Sequence, residues 1–185
     1  MKKTIVGLLA LGLALAFVPG ASAGEPSALL PPRPAVAGDG GAQRSDAVRT
    51  RIRSLHGDRT QCLDADSNNG ENGTRVQVWR CNGQPQQVWV AEGGQLRNER
   101  FPGMCLDADT TTGGANGTRL QLWRCNGESQ QQWRLLPDDL AIYNLRFLND
   151  FRTVVDRDPA QVDGAVAQLW EKNFQSQQWW QFEPA

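Results

Sequence analysis

The chain carries one histidine, His56, among 185 residues, and nowhere gathers its arginines and lysines into a block. A lone imidazole with no serine or cysteine marked as its partner argues against a Ser-His-Asp arrangement; on the first expected strand it reads as a surface or edge side chain. The scarcity of clustered positive charge argues against a face that follows a phosphate backbone, so nucleic acid is not an expected partner. Without Lys2 and Lys3 there are 17 basic against 20 acidic side chains, a net charge of about −3. No apolar run approaches the roughly 20 residues that span a bilayer, and membrane insertion is not expected. The longest, Ile5 to Val18, has 14 residues. Sustained helical periodicity is missing as well, which leaves strands and turns as the building material.

The one apolar run has another reading. Lys2 and Lys3 precede it and Ala21-Ser22-Ala23 follow it, the layout of a secretory signal over residues 1–23 with cleavage before Gly24. The expected product is secreted and extracellular. Residues 24–46 carry Pro26, Pro31, Pro32, Pro34, Gly38, Gly40 and Gly41 without apolar periodicity. This is the composition of a flexible linker or pro-segment, which buries too little surface to offset its ordering entropy. Residues 47–185 suffice for one domain, and no stretch of this chain is left for a second, catalytic one.

Within that domain a short phrase recurs three times: Gln77-Val78-Trp79 then Gln87-Val88-Trp89, Gln121-Leu122-Trp123 then Gln131-Gln132-Trp133, and Gln168-Leu169-Trp170 then Gln178-Trp179-Trp180. The steps between copies are 44 and 47 residues, which sets repeats at about 48–92, 93–136 and 137–185. Units this short cannot bury their own apolar faces and must close on a shared core. Alternating runs broken by Gly, Asn, Asp and Pro predict strands near Arg51 to Leu55, Gln61 to Ala65, Arg75 to Arg80 and Gln87 to Ala91 in the first copy. Four per copy makes about twelve, an all-β domain. In Val76-Gln77-Val78-Trp79 the period of two puts the valines on one face and Gln77 with Trp79 on the other. Gln87 shares a face with Trp89 in the same way, so periodicity alone does not say which tryptophan is buried.

Cys62 and Cys81 fall at the same places as Cys105 and Cys125, while the third copy has Val154 and Lys172 at both. Joint loss is what an intra-repeat bridge implies, and export supplies an oxidising setting. A four-cysteine zinc site is the competing reading, but the close Cys-x-x-Cys pairs of such sites are absent. The pairs Asp64 and Asp66, Asp107 and Asp109, and Asp156 and Asp158 offer carboxylates to calcium, yet no nearby run completes six oxygen ligands, and the second aspartate serves equally as a turn former. Sequence-neighbour carboxylates also lack the facing placement of a glycosidase pair. No metal, cofactor or catalytic residue is expected. Asn72-Gly73-Thr74 and Asn116-Gly117-Thr118 match a glycosylation acceptor, but a tight turn explains them together with Asp163-Gly164, which has no acceptor.

The tripled Gln-x-Trp, with Cys62-Leu63-Asp64 and Cys105-Leu106-Asp107 upstream, resembles the ricin B-type lectin family over about residues 48 to 185. The resemblance implies a β-trefoil of three pseudo-symmetric four-stranded repeats, related to family 13 carbohydrate-binding modules, with up to one shallow sugar pocket per lobe. A pyranose shows a patch of C–H groups and a rim of hydroxyls, and its receptor needs a flat apolar platform beside convergent donors and acceptors. Carried over by position, the sugar-binding aspartate is Asp64, Asp107 and Asp156, and the platform is Trp79, Trp123 and Trp170. The glutamine that orients the aspartate is Gln87, Gln131 and Gln178, and a further rim contact is Asn82, Asn126 and Asn173. The residue before each Gln-x-Trp, an asparagine in the family, is Gln86, Gln130 and Gln177 here; one more methylene shifts its amide by more than a hydrogen bond tolerates unless the loop adjusts. Trp89, Trp133 and Trp180 are expected in the core.

The function so implied is a glycan-binding protein, monomeric, for galactose-type or other pyranose units. Single shallow sites bind on the order of millimolar, and several on one rigid body raise affinity for a polymer by about 10²-fold, which favours polymeric glycan over free sugar. Lobes one and two are nearly identical around their platforms and should share ligand preference, while the third lacks the bridge and is the weakest candidate. The alternative is a protein-binding trefoil acting as inhibitor or docking subunit of a separate toxin or hydrolase. If residues 1–23 are a signal, mass spectrometry of the exported protein will find its first residue at Gly24; a protein that keeps Met1 overturns the assignment.

Overall fold

The computed structural model describes residues 46–185 apart from Ser67, Pro137, residues 149–152 and Gln161. The expected signal and all but the last residue of the expected linker lie outside the described residues. Among the described residues twelve strands follow one another: β1 (Val48–Ser54), β2 (Gln61–Ala65), β3 (Thr74–Arg80), β4 (Val88–Glu92), β5 (Gln95–Asn98), β6 (Met104–Ala108), β7 (Thr118–Arg124), β8 (Trp133–Leu136), β9 (Ala141–Asn144), β10 (Thr153–Arg157), β11 (Ala165–Glu171) and β12 (Trp180–Pro184). In the first repeat they sit within a few residues of the alternating runs. Gln87 differs: it closes a 3₁₀ turn, Pro85–Gln87, that proline's fixed φ helps to start, and β4 begins one residue later. The same turn recurs at Ser129–Gln131 and Ser176–Gln178.

Pairing is antiparallel throughout and follows the threefold. One set of strands forms the barrel ladders β12–β1–β4–β5 and β8–β9. Backbone bonds from Trp133 N to the Gly94 carbonyl and from Trp180 N to the Leu140 carbonyl, each 2.8 Å, carry the connection between them. The other set is three hairpins, β2–β3, β6–β7 and β10–β11. Their second strands pair cyclically, β3 with β7, β7 with β11 and β11 with β3. This is the β-trefoil. Its core draws Ile52, Leu63, Val78, Leu106, Leu122 and Leu169 from all three repeats.

The tryptophans separate cleanly. Trp89 and Trp180 are wholly buried and Trp133 is 6% exposed, whereas Trp79, Trp123 and Trp170 are 41%, 38% and 37% exposed. A buried indole N–H needs an acceptor. Trp89, Trp133 and Trp180 donate to the carbonyls of Leu63 (3.1 Å), Leu106 (3.0 Å) and Val155 (2.8 Å), each on the hairpin of its own repeat.

The seams between repeats are closed by the Asn-Gly and Asp-Gly turns. Asn72 Oδ1 accepts from Arg124 N at 2.7 Å, Asn116 Oδ1 from Glu171 N at 2.6 Å and Asp163 Oδ1 from Arg80 N at 2.8 Å. The following glycine N–H groups donate to the Leu122, Leu169 and Val78 carbonyls, so each repeat latches onto the next and the third onto the first. The turn reading of these dipeptides therefore covers all three copies.

Cys62 is bonded to Cys81 and Cys105 to Cys125. In the third repeat Lys172 forms an ion pair with Asp139 and donates to Tyr143 Oη at 2.8 Å, and Tyr143 donates to Asp139 at 2.9 Å. Tyr143 is the cross-strand partner of Val154, the other former cysteine position, so a polar cluster stands where the first two repeats have sulfur. With its ends separated by 19 positions, the Cys62–Cys81 bridge is worth about 3 kcal/mol by chain entropy. Urea unfolding of the Cys62→Ala/Cys81→Ala variant is expected to show a loss of that size, and an unchanged midpoint would contradict it.

Candidate functional site

In each repeat the first aspartate of the Asp-x-Asp pair lies on the hairpin, buried, with both carboxylate oxygens occupied. Asp64 Oδ2 accepts from Gln87 Nε2 at 3.0 Å and Oδ1 from Gln77 Nε2 at 3.2 Å. Asp107 receives the same pair from Gln131 (3.0 Å) and Gln121 (3.0 Å), and Asp156 from Gln178 (3.0 Å) and Gln168 (3.4 Å). Gln87, Gln131 and Gln178 are buried beneath and also tie to backbone: Gln87 donates to the Arg80 carbonyl at 3.0 Å and accepts from Asn82 N at 2.9 Å. The equivalent bonds recur for Gln131 and Gln178.

The glutamines two residues before the exposed tryptophans, Gln77, Gln121 and Gln168, were not among the residues expected in the site. The signal for them was present: Gln77 shares the Trp79 face by alternation, and the hairpin register sets it directly opposite Asp64. Gln121 stands opposite Asp107 and Gln168 opposite Asp156 likewise.

Above this layer lie open cavities. One of about 360 Å³ is lined by Asp64, Asp66, Asn68, Arg75, Gln77, Trp79 and Gln86. Its counterpart, about 310 Å³, is lined by Asp107, Asp109, Thr110, Thr111, Gln121, Trp123 and Gln130. The two linings share the aspartates, the paired glutamine and the platform, but differ where the first has Asn68 and Arg75 and the second two threonines. Gln86 and Gln130 line the cavities. The Oε1 atom of each is buried and accepts no hydrogen bond from another protein group. Asn82 and Asn126 are exposed and do not line either cavity; their Oδ1 atoms accept from Gln84 N and Glu128 N at 2.9 Å, and Asn173 does the same for Gln175 N. In the third repeat Asp156 is buried, Gln177 half-buried and Trp170 exposed, the same disposition as in the first; the second differs in that Gln130 is buried.

The second aspartates are turn formers. Asp66 accepts from Asn68 N (3.2 Å), Asp109 from Thr111 N (2.9 Å) and Asp158 from Ala160 N (2.8 Å). His56 departs from expectation. It stands past the end of β1, half-buried, and its Nδ1 is 2.7 Å from Ser176 Oγ, a serine partner that sequence distance concealed. Burial and the nearby Arg157 guanidinium lower its pKa, against a hydrogen bond with the Pro159 backbone.

The profile of the ricin-type beta-trefoil lectin domain matches residues 48–180. Among solved structures, the chain is similar to ThreeFoil, a designed threefold-symmetric protein, with a TM-score of 0.63, 18% identity, and coverage of 74% of this chain and 99% of that one. It is similar to the agglutinin from Abrus precatorius, with a TM-score of 0.60, 20% identity and 74% of this chain covered, but it spans only 48% of that longer protein. The β-trefoil lectin of the Vibrio vulnificus hemolysin/cytolysin, solved with N-acetyl-D-lactosamine bound, gives a TM-score of 0.60, 23% identity, and coverage of 76% and 96%. No curated protein matches the chain.

Burial is the first cause that raises the pKa values of Asp64, Asp107 and Asp156, against the bonds from their glutamines. Bonds from Thr60 lower that of Asp58, and bonds from Thr111 that of Asp109. A raised carboxyl adds stability at low pH and loses it as pH rises through its folded value; a lowered one adds stability at higher pH and loses it as pH falls through its folded value. Carboxyl-carbon NMR is expected to find the three buried aspartates titrating above the ordinary aspartate value of about 3.9 and Asp58 and Asp109 below it. A reversed order would show the buried layer to be misread.

Proposed function

The chain belongs to the ricin-type β-trefoil lectin domain family, and on that premise we propose that it is an exported protein that holds glycans non-covalently, at several sites on one rigid body. The observation that carries this reading is the stacking of three layers in each of two cavities: an exposed indole face, a buried carboxylate beside it, and a glutamine pair that fixes the carboxylate's orientation. An indole takes the C–H face of a pyranose, and the carboxylate accepts from its hydroxyls. On this reading the layer binds the sugar and takes no part in proton transfer. The lactosamine bound by the Vibrio vulnificus relative supports a galactose-type unit as the first sugar to try. Two or three such sites favour a polysaccharide or glycosylated surface over free sugar.

The test is a glycan array probed with the mature protein, residues 24–185, beside its Asp64→Ala/Asp107→Ala variant. Binding to a defined glycan set that the folded variant loses by about 10²-fold, the multivalent share, is the expected outcome. Silence from a folded, disulfide-bonded wild type would move the reading to a protein-binding trefoil.

A further inference from the structure

The third repeat differs from the others at one backbone position that the site itself does not explain. After the platform, the repeats read Asn82-Gly83, Asn126-Gly127 and Asn173-Phe174, and all three second residues have positive φ: 72°, 77° and 60°. Glycine adopts this conformation freely, whereas a bulky side chain is strained in it. Strain in an aromatic is ordinarily recovered by burial, yet Phe174 is 69% exposed. Of the other non-glycine residues with positive φ among those described, Leu140 is half-buried and Arg59 is polar. A strained, exposed phenylalanine points to a surface role.

Its location follows from register. Gln168, Trp170 and Lys172 alternate onto the face that carries the site, with Val154 opposite Trp170. The Lys172 ammonium lies 4.8 Å from the centre of the Phe174 ring and 5.4 Å from that of Tyr143, so the Phe174 ring stands against the lysine that follows Trp170 by two residues. At Gly83 and Gly127 an added Cβ would meet nothing within 4 Å, and that part of the surface is bare in the first two repeats.

We propose that Phe174 and Trp170 form a two-aromatic platform, bridged by Lys172, on which the third repeat holds at least two consecutive pyranose units of a glycan chain rather than one terminal sugar. This rests on the glycan-binding reading above. It makes Phe174 a specificity-determining residue and gives the repeat without a disulfide a preference of its own.

Calorimetry on the Asp64→Ala/Asp107→Ala background isolates the third repeat. The probes are oligosaccharide ladders, from monosaccharide to hexasaccharide, of galactan, xylan and poly-N-acetyllactosamine. The expected result is affinity that rises from the monosaccharide to the di- or trisaccharide. Phe174→Gly then removes about tenfold on the longer ligand, the weight of one aromatic contact, and leaves the monosaccharide unchanged. Phe174→Tyr retains the gain. Because glycine relieves the backbone, Phe174→Gly is expected to keep or raise the thermal midpoint. Length-independent binding, or a lowered midpoint with binding intact, assigns Phe174 to packing over Lys172 and overturns the inference alone. Failure of the unmutated protein to bind any ladder overturns both this inference and the lectin reading.

Discussion

Each Gln-x-Trp triplet reaches from the barrel to the hairpin of its own repeat through two side-chain hydrogen bonds, and the rest of the molecule is arranged around them. Gln87 holds the Asp64 carboxylate, and Trp89, two residues on, holds the carbonyl of Leu63 beside it. The 3₁₀ turn that ends at Gln87, followed directly by β4, brings both side chains to the same hairpin. The fold cannot close without bringing the carboxylate into place, and the carboxylate cannot be oriented without the fold. Structure and site share one set of bonds in all three repeats.

Pseudo-symmetry then leaves room for each repeat to diverge. The first two keep sulfur bridges; the third replaces Cys-Cys with the Lys172, Asp139 and Tyr143 cluster and still presents Asp156 and Trp170 in the common arrangement. The missing bridge in the third lobe gave no sign of this cluster. Likewise the near-identity of the first two repeats around their platforms does not extend to the loops after Asp66 and Asp109, which supply Asn68 to one cavity and Thr110 and Thr111 to the other.

The repeat period, strand order and cysteine pairing were legible because local alternation and repetition encode them directly. The choice between Trp79 and Trp89 was not, since both obey the same alternation; only closure of the barrel decides which face meets the core. His56 and Ser176 lie 120 residues apart, and no local pattern announces their contact. Arg157 is wholly buried where the other repeats have Ala65 and Ala108, and its guanidinium is held by Gln61 of the first repeat and the Ala160 carbonyl. A buried charge reads from sequence as a surface residue, because one of the partners that satisfy it, Gln61, comes from another repeat.

The latches between repeats also bear on chemical ageing. Asparagine followed by glycine loses its amide nitrogen readily, by attack of the glycine backbone nitrogen on the side-chain carbonyl. Here the Gly73 and Gly117 nitrogens already donate to the Leu122 and Leu169 carbonyls at 2.8 Å and 2.9 Å, which holds the nucleophile away from the asparagine. The latch needs only an acceptor oxygen, and Asp163 shows that a carboxylate serves as well as an amide. Conversion of Asn72 or Asn116 to aspartate thus leaves the ring of repeats closed, and only the isoaspartyl product, with its longer backbone, would spring it open.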